Sequence, residues 1–157
     1  MPDSRVLLLF VIAFPLVCAA SEGAAIIREF STDGCSRFPD RSMISNHDWC
    51  HCCVAHDLAY WRGGSAKERL VADESLRECV ERSTANPALA DVMYAGVRAG
   101  GGPYFFTSYR WGYGWPFGRL YRELSPEERA AADAAQAAFL KHNPDPVCSG
   151  EVRSVSR

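Results

Sequence analysis

Trp49-Cys50-His51-Cys52-Cys53-Val54-Ala55-His56-Asp57-Leu58-Ala59-Tyr60 is the stretch on which the reading of this chain turns. On a helix, residues four apart share a face, so Cys52, His56 and Tyr60 form one stripe and Cys53 and Asp57 the next. One turn then offers an imidazole beside a carboxylate. Helix-compatible residues run from about His47 to Arg62, with Asn46 as the N-cap, and Gly63-Gly64 end the segment. Ser65 caps a second helix from Ala66 to about Ser83, and two helices joined so closely lie roughly antiparallel. On the second helix Leu70, Asp73, Arg77 and Val80 fall on a common face, so Asp73 can point back at the first. A Cys52–Cys79 bridge would force that juxtaposition. The plainer alternative is an Asp73–Arg77 surface pair at i,i+4 spacing.

Outward from this pair, Asn86-Pro87 starts a third helix that runs to Ala99 and stops at Gly100-Gly101-Gly102. Ser125-Pro126-Glu127-Glu128 starts a fourth with a capping box, and its alanine-rich run ends near His142. The expected class is therefore mainly α: an antiparallel, disulfide-stapled helix pair with additional C-terminal helices. Between the third and fourth helices, Pro103 to Arg122 is crowded with Tyr104, Phe105, Phe106, Tyr109, Trp111, Tyr113, Trp115, Phe117 and Tyr121. Two readings stay open for it: a surface that meets lipid, or core packing around tight glycine turns. Upstream, Ser21 to Ile44 is turn-rich loop with at most a short extended piece near Ile26. Asp33, Asp40, Asp48 and Glu68 read as turn, cap and solvated-face residues, and Glu127-Glu128-Arg129 as a helix start only.

The first residues are Met-Pro-Asp-Ser-Arg, then an apolar run from Val6 to Val17, then Cys18-Ala19-Ala20-Ser21, the three regions of a secretory signal. Twelve apolar residues interrupted by Pro15 fall short of the roughly 20 that span a membrane. Val17 stands where a lipoprotein would want a small residue. The expected division is a signal peptide over 1–20, one domain over 21–148 and a polar tail over 149–157, destined for a secreted or periplasmic setting. Cleavage removes Cys18 and leaves six of the seven cysteines, an even set that suits disulfides but permits fifteen pairings. Asp3 and Arg5 leave together, so the formal charge stays at −2, which disfavours nucleic acid and purely electrostatic binding to anionic membranes.

Cys52-Cys53-x-x-His56-Asp57-x-x-Tyr60 resembles the active-site helix of the secreted phospholipase A2 family, and Asp73 with Cys79 six positions later resembles that family's partner helix. Ala59 and Ala72 stand where the family has one further bridge, so both partners are absent together. The resemblance covers about Asp33 to Val80. It implies His56 as general base, Asp73 as its orienter, Tyr60 as a further member of the catalytic set and Asp57 as a calcium ligand. It also implies Cys52–Cys79 and, with Cys35 as the calcium-loop cysteine, Cys35–Cys53, which leaves Cys50 for Cys148. The family's glycine-rich calcium loop is reduced here to Gly34-Cys35 followed by Ser36-Arg37-Phe38-Pro39, placing the carbonyls of Gly34, Ser36 and Phe38 at the ligand positions. The short link between the helices leaves no room for the family's two-stranded wing, so a compact variant is implied.

The implied activity is calcium-dependent cleavage of the sn-2 ester of glycerophospholipids, at a membrane or micelle surface, to a fatty acid and a lysophospholipid. That chemistry is coherent on physical grounds. Imidazole can take a proton from water near neutral pH, a carboxylate on its other nitrogen fixes the tautomer, and a hard cation takes about 6 to 8 oxygen ligands. Three other readings compete. One is a surface His-Asp pair without function. Another is a catalytically silent, phospholipase-like binding or toxin-type protein. The third is a zinc cluster of Cys50, His51, Cys52, Cys53 and His56, against which stand the divergent helix faces of adjacent cysteines and the preference of exported chains for disulfides.

Overall fold

A computed structural model describes residues 26–36, 38–43, 48–143 and 148. Among them are four α-helices, α1 (Cys50–Arg62), α2 (Ala66–Thr84), α3 (Pro87–Gly100) and α4 (Pro126–His142), and no strand. The expected signal peptide, the Asn46 cap and the tail lie outside the described residues. Local chemistry sets three of the helix starts. Ser65 and Ser125 form capping boxes with Glu68 and Glu128, and the Asn86 side chain accepts from the Leu89 N–H with Pro87 at the first helical position. α1 differs from expectation: it begins at Cys50, not near His47, and its N-cap Trp49 makes no side-chain cap bond. Asp48 Oδ1 accepts from the Cys50 N–H at 2.9 Å, and the Trp49 indole donates to the Pro39 carbonyl at 2.6 Å. A tertiary anchor on Trp49 and a local bond to Asp48, two residues ahead of Cys50, together set this start.

The register of α1 on α2 follows from three contacts: Cys52 is bonded to Cys79, His56 meets Asp73, and Tyr60 meets Arg69. Partner numbers fall as residue numbers rise, so the helices are antiparallel, and Ala59 stands opposite Ala72. α3 runs antiparallel to α2 by the same test, with Arg77 to Asp91 at 2.6 Å and Asp73 to Arg98 at 2.7 Å. The buried side of α2 is Arg69, Ala72, Asp73, Leu76, Val80 and Thr84. That corrects the expected face: Leu70 and Arg77 are exposed, and Arg77 pairs with Asp91 rather than Asp73. One core cluster joins Trp49, Leu76, Val80, Ala90 and Met93 to three of the cysteines. A second sets Phe30 and Trp61 against Ala132 and Phe139 of α4. No helix of the described residues is long and apolar enough to cross a membrane.

The segment 101–124 carries no regular structure, yet it closes the end of α1. The last carbonyls of a helix have no partner within it. Here Gly112 N–H donates to Tyr60 O at 2.6 Å, Gly114 N–H to Trp61 O at 3.0 Å and the Trp115 indole to Arg62 O at 2.7 Å. The Trp111 indole reaches Gly64 O at 2.8 Å. Gly114 lies so close that an added Cβ would stand 2.6 Å from the Trp61 indole and carbonyl. Trp111 and Trp115 are accordingly buried, as core packing predicts, whereas Tyr104, Phe105, Phe106 and Phe117 are exposed. The expectation for Glu128 also needs correcting: besides capping α4 it receives both Arg119 and Arg122, so it is a structural anchor as well as a helix start.

Candidate active site

His56 sits mid-way along α1, one turn after Cys52 and one before Tyr60, and all three are buried on the side facing α2. Its Nε2 lies 2.8 Å from Asp73 Oδ1, and the Asp73 side chain has no exposure to solvent. The same Oδ1 accepts from the Tyr60 hydroxyl at 2.7 Å, and Oδ2 accepts from Arg98 at 2.7 Å. Burial alone would raise the Asp73 carboxyl, but hydrogen bonds from His56, Arg98 and Tyr60 outweigh it and hold it below the usual carboxylate range. An ionised carboxylate can only accept, so His56 donates to it through Nε2–H, and in the neutral tautomer that does so the lone pair is on Nδ1. The Tyr60 phenol is pushed up by burial and by the charge of Asp73, which keeps it a neutral donor. Its ring also stacks at a tilt on His56, with centroids 4.1 Å apart. Tyr60 is thus a positioning residue for the pair.

Sequence reading passed over Arg69 and Arg98. Arg69 is buried and donates through Nε to the Tyr60 hydroxyl at 2.9 Å, through Nη1 to the Tyr121 hydroxyl at 2.6 Å, and through Nη2 to the carbonyls of Val97 and Arg98 at 2.8 and 3.0 Å. It therefore fixes Tyr60 and satisfies the C-terminal end of α3 at once. Gly101, just past that end, has no room for a side chain: an added Cβ would lie 2.5 Å from the Tyr60 ring and 2.7 Å from its hydroxyl.

A cavity of about 330 Å³ opens over the pair. Gly34, Ser36 and Phe38 line it from the loop, His56 and Asp57 from α1, and Val92, Met93, Gly96 and Val97 from α3. The loop thus brings all three of its expected ligand residues to the wall that holds Asp57. Asp57 Oδ2 accepts from the Thr32 hydroxyl at 2.6 Å, and that hydroxyl accepts from the Gly34 N–H at 3.1 Å. Cys35 N–H donates to Asp40 Oδ1 at 2.6 Å, Ser36 Oγ donates to Asp33 Oδ1 at 2.6 Å, and Phe38 N–H donates to the Cys35 carbonyl at 2.9 Å. The turn therefore uses the Cys35 carbonyl, which is not among those expected to face a metal. Thr32, which sets the Asp57 carboxylate, gave no sequence signal.

Burial pushes the Asp57 carboxyl up to about 7, against the Thr32 hydrogen bond, and the charges of Asp33 and Asp40 add to the rise. A partly buried carboxylate in a negative surrounding is relieved by a cation, and carboxylate plus carbonyl oxygens are the donors a hard divalent ion takes. The residues fit calcium on that test. They do not fit the zinc alternative: Cys35 is bonded to Cys53, Cys50 to Cys148 and Cys52 to Cys79, so the thiolates that such a cluster requires are consumed. These are the three pairs that the family resemblance implies, Cys50–Cys148 by elimination. Comparison with protein-family models, with curated proteins and with solved structures finds no match for this chain.

Proposed function

We propose that this chain is a calcium-dependent hydrolase of secreted phospholipase A2 type, exported to an extracytoplasmic setting, which cleaves the sn-2 ester of glycerophospholipids at a membrane or micelle surface. The observation that carries the reading is the His56–Asp73 pair, buried at 2.8 Å beneath a cavity walled by apolar residues of α3 and by Asp57. His56 Nδ1 takes a proton from water, and Asp73 holds the ring and stabilises the imidazolium that results. Tyr60 and Arg98 keep the Asp73 carboxylate in place, so little reorganisation accompanies proton transfer. The apolar wall receives the acyl chain and excludes bulk water. Asp57 and the carbonyls of Gly34, Ser36 and Phe38 would hold Ca2+, which when bound polarises the ester carbonyl and offsets charge developing on its oxygen. His56 returns its proton to the leaving alkoxide, giving lysophospholipid and fatty acid. The opposed Ala59 and Ala72 also support the family reading, since they are what a lost bridge would leave.

Fatty-acid release from mixed phospholipid vesicles, with calcium and with chelator, tests the proposal. Release that chelator removes, and that His56→Ala lacks, is the expected result. Undiminished release in chelator would overturn the calcium role. No release from the intact exported chain would favour the silent binding protein, a reading supported by the hydrogen bonds that already engage the Asp40 carboxylate and the Cys35 carbonyl beside Asp57.

A further inference from the structure

Away from the cavity, at the opposite end of the helix pair from its Gly63-Gly64 link, His51 lies over the Cys52–Cys79 bridge. Its Nε2 stands 3.4 Å from Cys52 Sγ, 3.6 Å from Cys79 Sγ and 3.4 Å from Ser83 Oγ, and Ser83 Oγ stands 3.7 Å from Cys52 Sγ. A tetrahedral zinc site with metal–ligand distances of about 2.0–2.3 Å has ligand–ligand edges of about 3.3–3.8 Å. Four of the six edges of such a site thus fall in that window already, and a fifth, between the two sulfurs, is the bond that reduction opens. The His51, Cys52 and Cys79 ligand atoms cluster within 4.8 Å, with His51 exposed, Cys79 half-buried and Cys52 buried, so a cation would enter from the His51 side. We infer that this bridge masks a latent transition-metal site: when Cys52–Cys79 is reduced, His51, Cys52, Cys79 and Ser83 take up one zinc-class divalent cation, which replaces the disulfide as the staple between α1 and α2. The step balances with a dithiol as reductant. The dithiol gives two electrons to the S–S bond and becomes a disulfide; the two cysteine thiolates bind the metal, and two protons leave to solvent. Ligands sit in pairs on the two helices, His51 and Cys52 on α1, Cys79 and Ser83 on α2, so the metal holds the same register that the bridge holds.

Cobalt(II) is the probe, because tetrahedral thiolate coordination gives it visible absorption. The full exported chain, oxidised and then completely reduced with a phosphine, is titrated beside His51→Ala, Cys79→Ala, Ser83→Ala and a Cys35→Ala/Cys53→Ala double variant. Expected is one thiolate-bound cobalt, read by its visible absorption, per reduced wild-type chain and no such absorption from the oxidised chain, with zinc displacing it and restoring the helical circular dichroism lost on reduction. Cys79→Ala should abolish the absorption, His51→Ala should weaken binding by at least tenfold, Ser83→Ala should weaken it less, and the double variant should still bind. Equal binding by reduced His51→Ala and wild type would overturn the site in favour of simple thiol capture. So would absence of uptake, or uptake that the double variant lacks. Oxidised His51→Ala is measured alongside for its melting temperature, which an exposed ligand should leave near wild type. None of these outcomes bears on phospholipid hydrolysis.

Discussion

Asp73 is the residue on which two explanations part most sharply. As a surface partner of Arg77 it would contribute about 0.2–0.5 kcal/mol and nothing to turnover. Its position 2.8 Å from His56 predicts instead that Asp73→Asn lowers turnover by roughly 10⁴-fold while calcium affinity, read by calorimetry, stays near wild type. His56→Ala should likewise remove hydrolysis and spare the ion. Asp57 gives a prediction in pH. In the calcium-free chain its carboxyl titrates near 7, so below that value calcium must displace a proton and affinity should fall about tenfold per pH unit; above it, affinity levels off. The same shift acts on stability. The folded chain holds this proton above the unfolded value of 3.8, so the contribution is fully present below about 4 and is lost as pH rises through about 7. Denaturant titrations of the calcium-free chain should show that loss, and Asp57→Asn should flatten it. Residues such as His56, Asp57 and Asp73 were legible because adjacent cysteines and fixed offsets framed them. Arg69 was not, since an arginine four residues before Asp73 looks like a solvated i,i+4 pair, whereas its hydrogen-bond partners lie 9, 28, 29 and 52 positions away.

Helices whose starts are encoded within four residues were readable, and α2, α3 and α4 begin where their caps put them. α1 was misjudged at its start because Trp49 anchors the entry through a tertiary bond and Asp48, inside the helix-compatible run, instead caps it by accepting from the Cys50 N–H two residues on. Such local encoding makes a local prediction: Ser65→Ala should cost about 1 kcal/mol in denaturant titration and leave turnover per folded molecule unchanged. Gly101→Val should behave in the opposite sense. Its side chain would collide with Tyr60, displacing the residue that steadies Asp73, so turnover should fall by more than stability accounts for. Rates normalised to folded protein separate the two cases, and a Gly101→Val enzyme with wild-type turnover would show that Tyr60 is dispensable to the pair.

At the scale of the molecule, three bridges divide the covalent work unequally. Cys50–Cys148 joins residues 98 positions apart and Cys52–Cys79 only 27, so in the chain-entropy model the first restrains the unfolded chain more, by about 1 kcal/mol. Replacing Cys50 and Cys148 with alanine should lower the melting temperature further than replacing Cys52 and Cys79, yet disturb turnover less, because only the latter pair sits on the two helices that carry His56 and Asp73. Retained turnover in the Cys52/Cys79 variant would show that packing alone fixes the dyad. The glycine and indole donors that finish α1 have a separate consequence for how the molecule breathes. Backbone protons of Gly112 and Gly114 are locked to helix carbonyls although they belong to a stretch with no periodic structure. Deuterium should therefore enter them as slowly as it enters the last turn of α1, and the two should open together as one cooperative unit, so that solvent reads as rigid a segment whose sequence looks like linker.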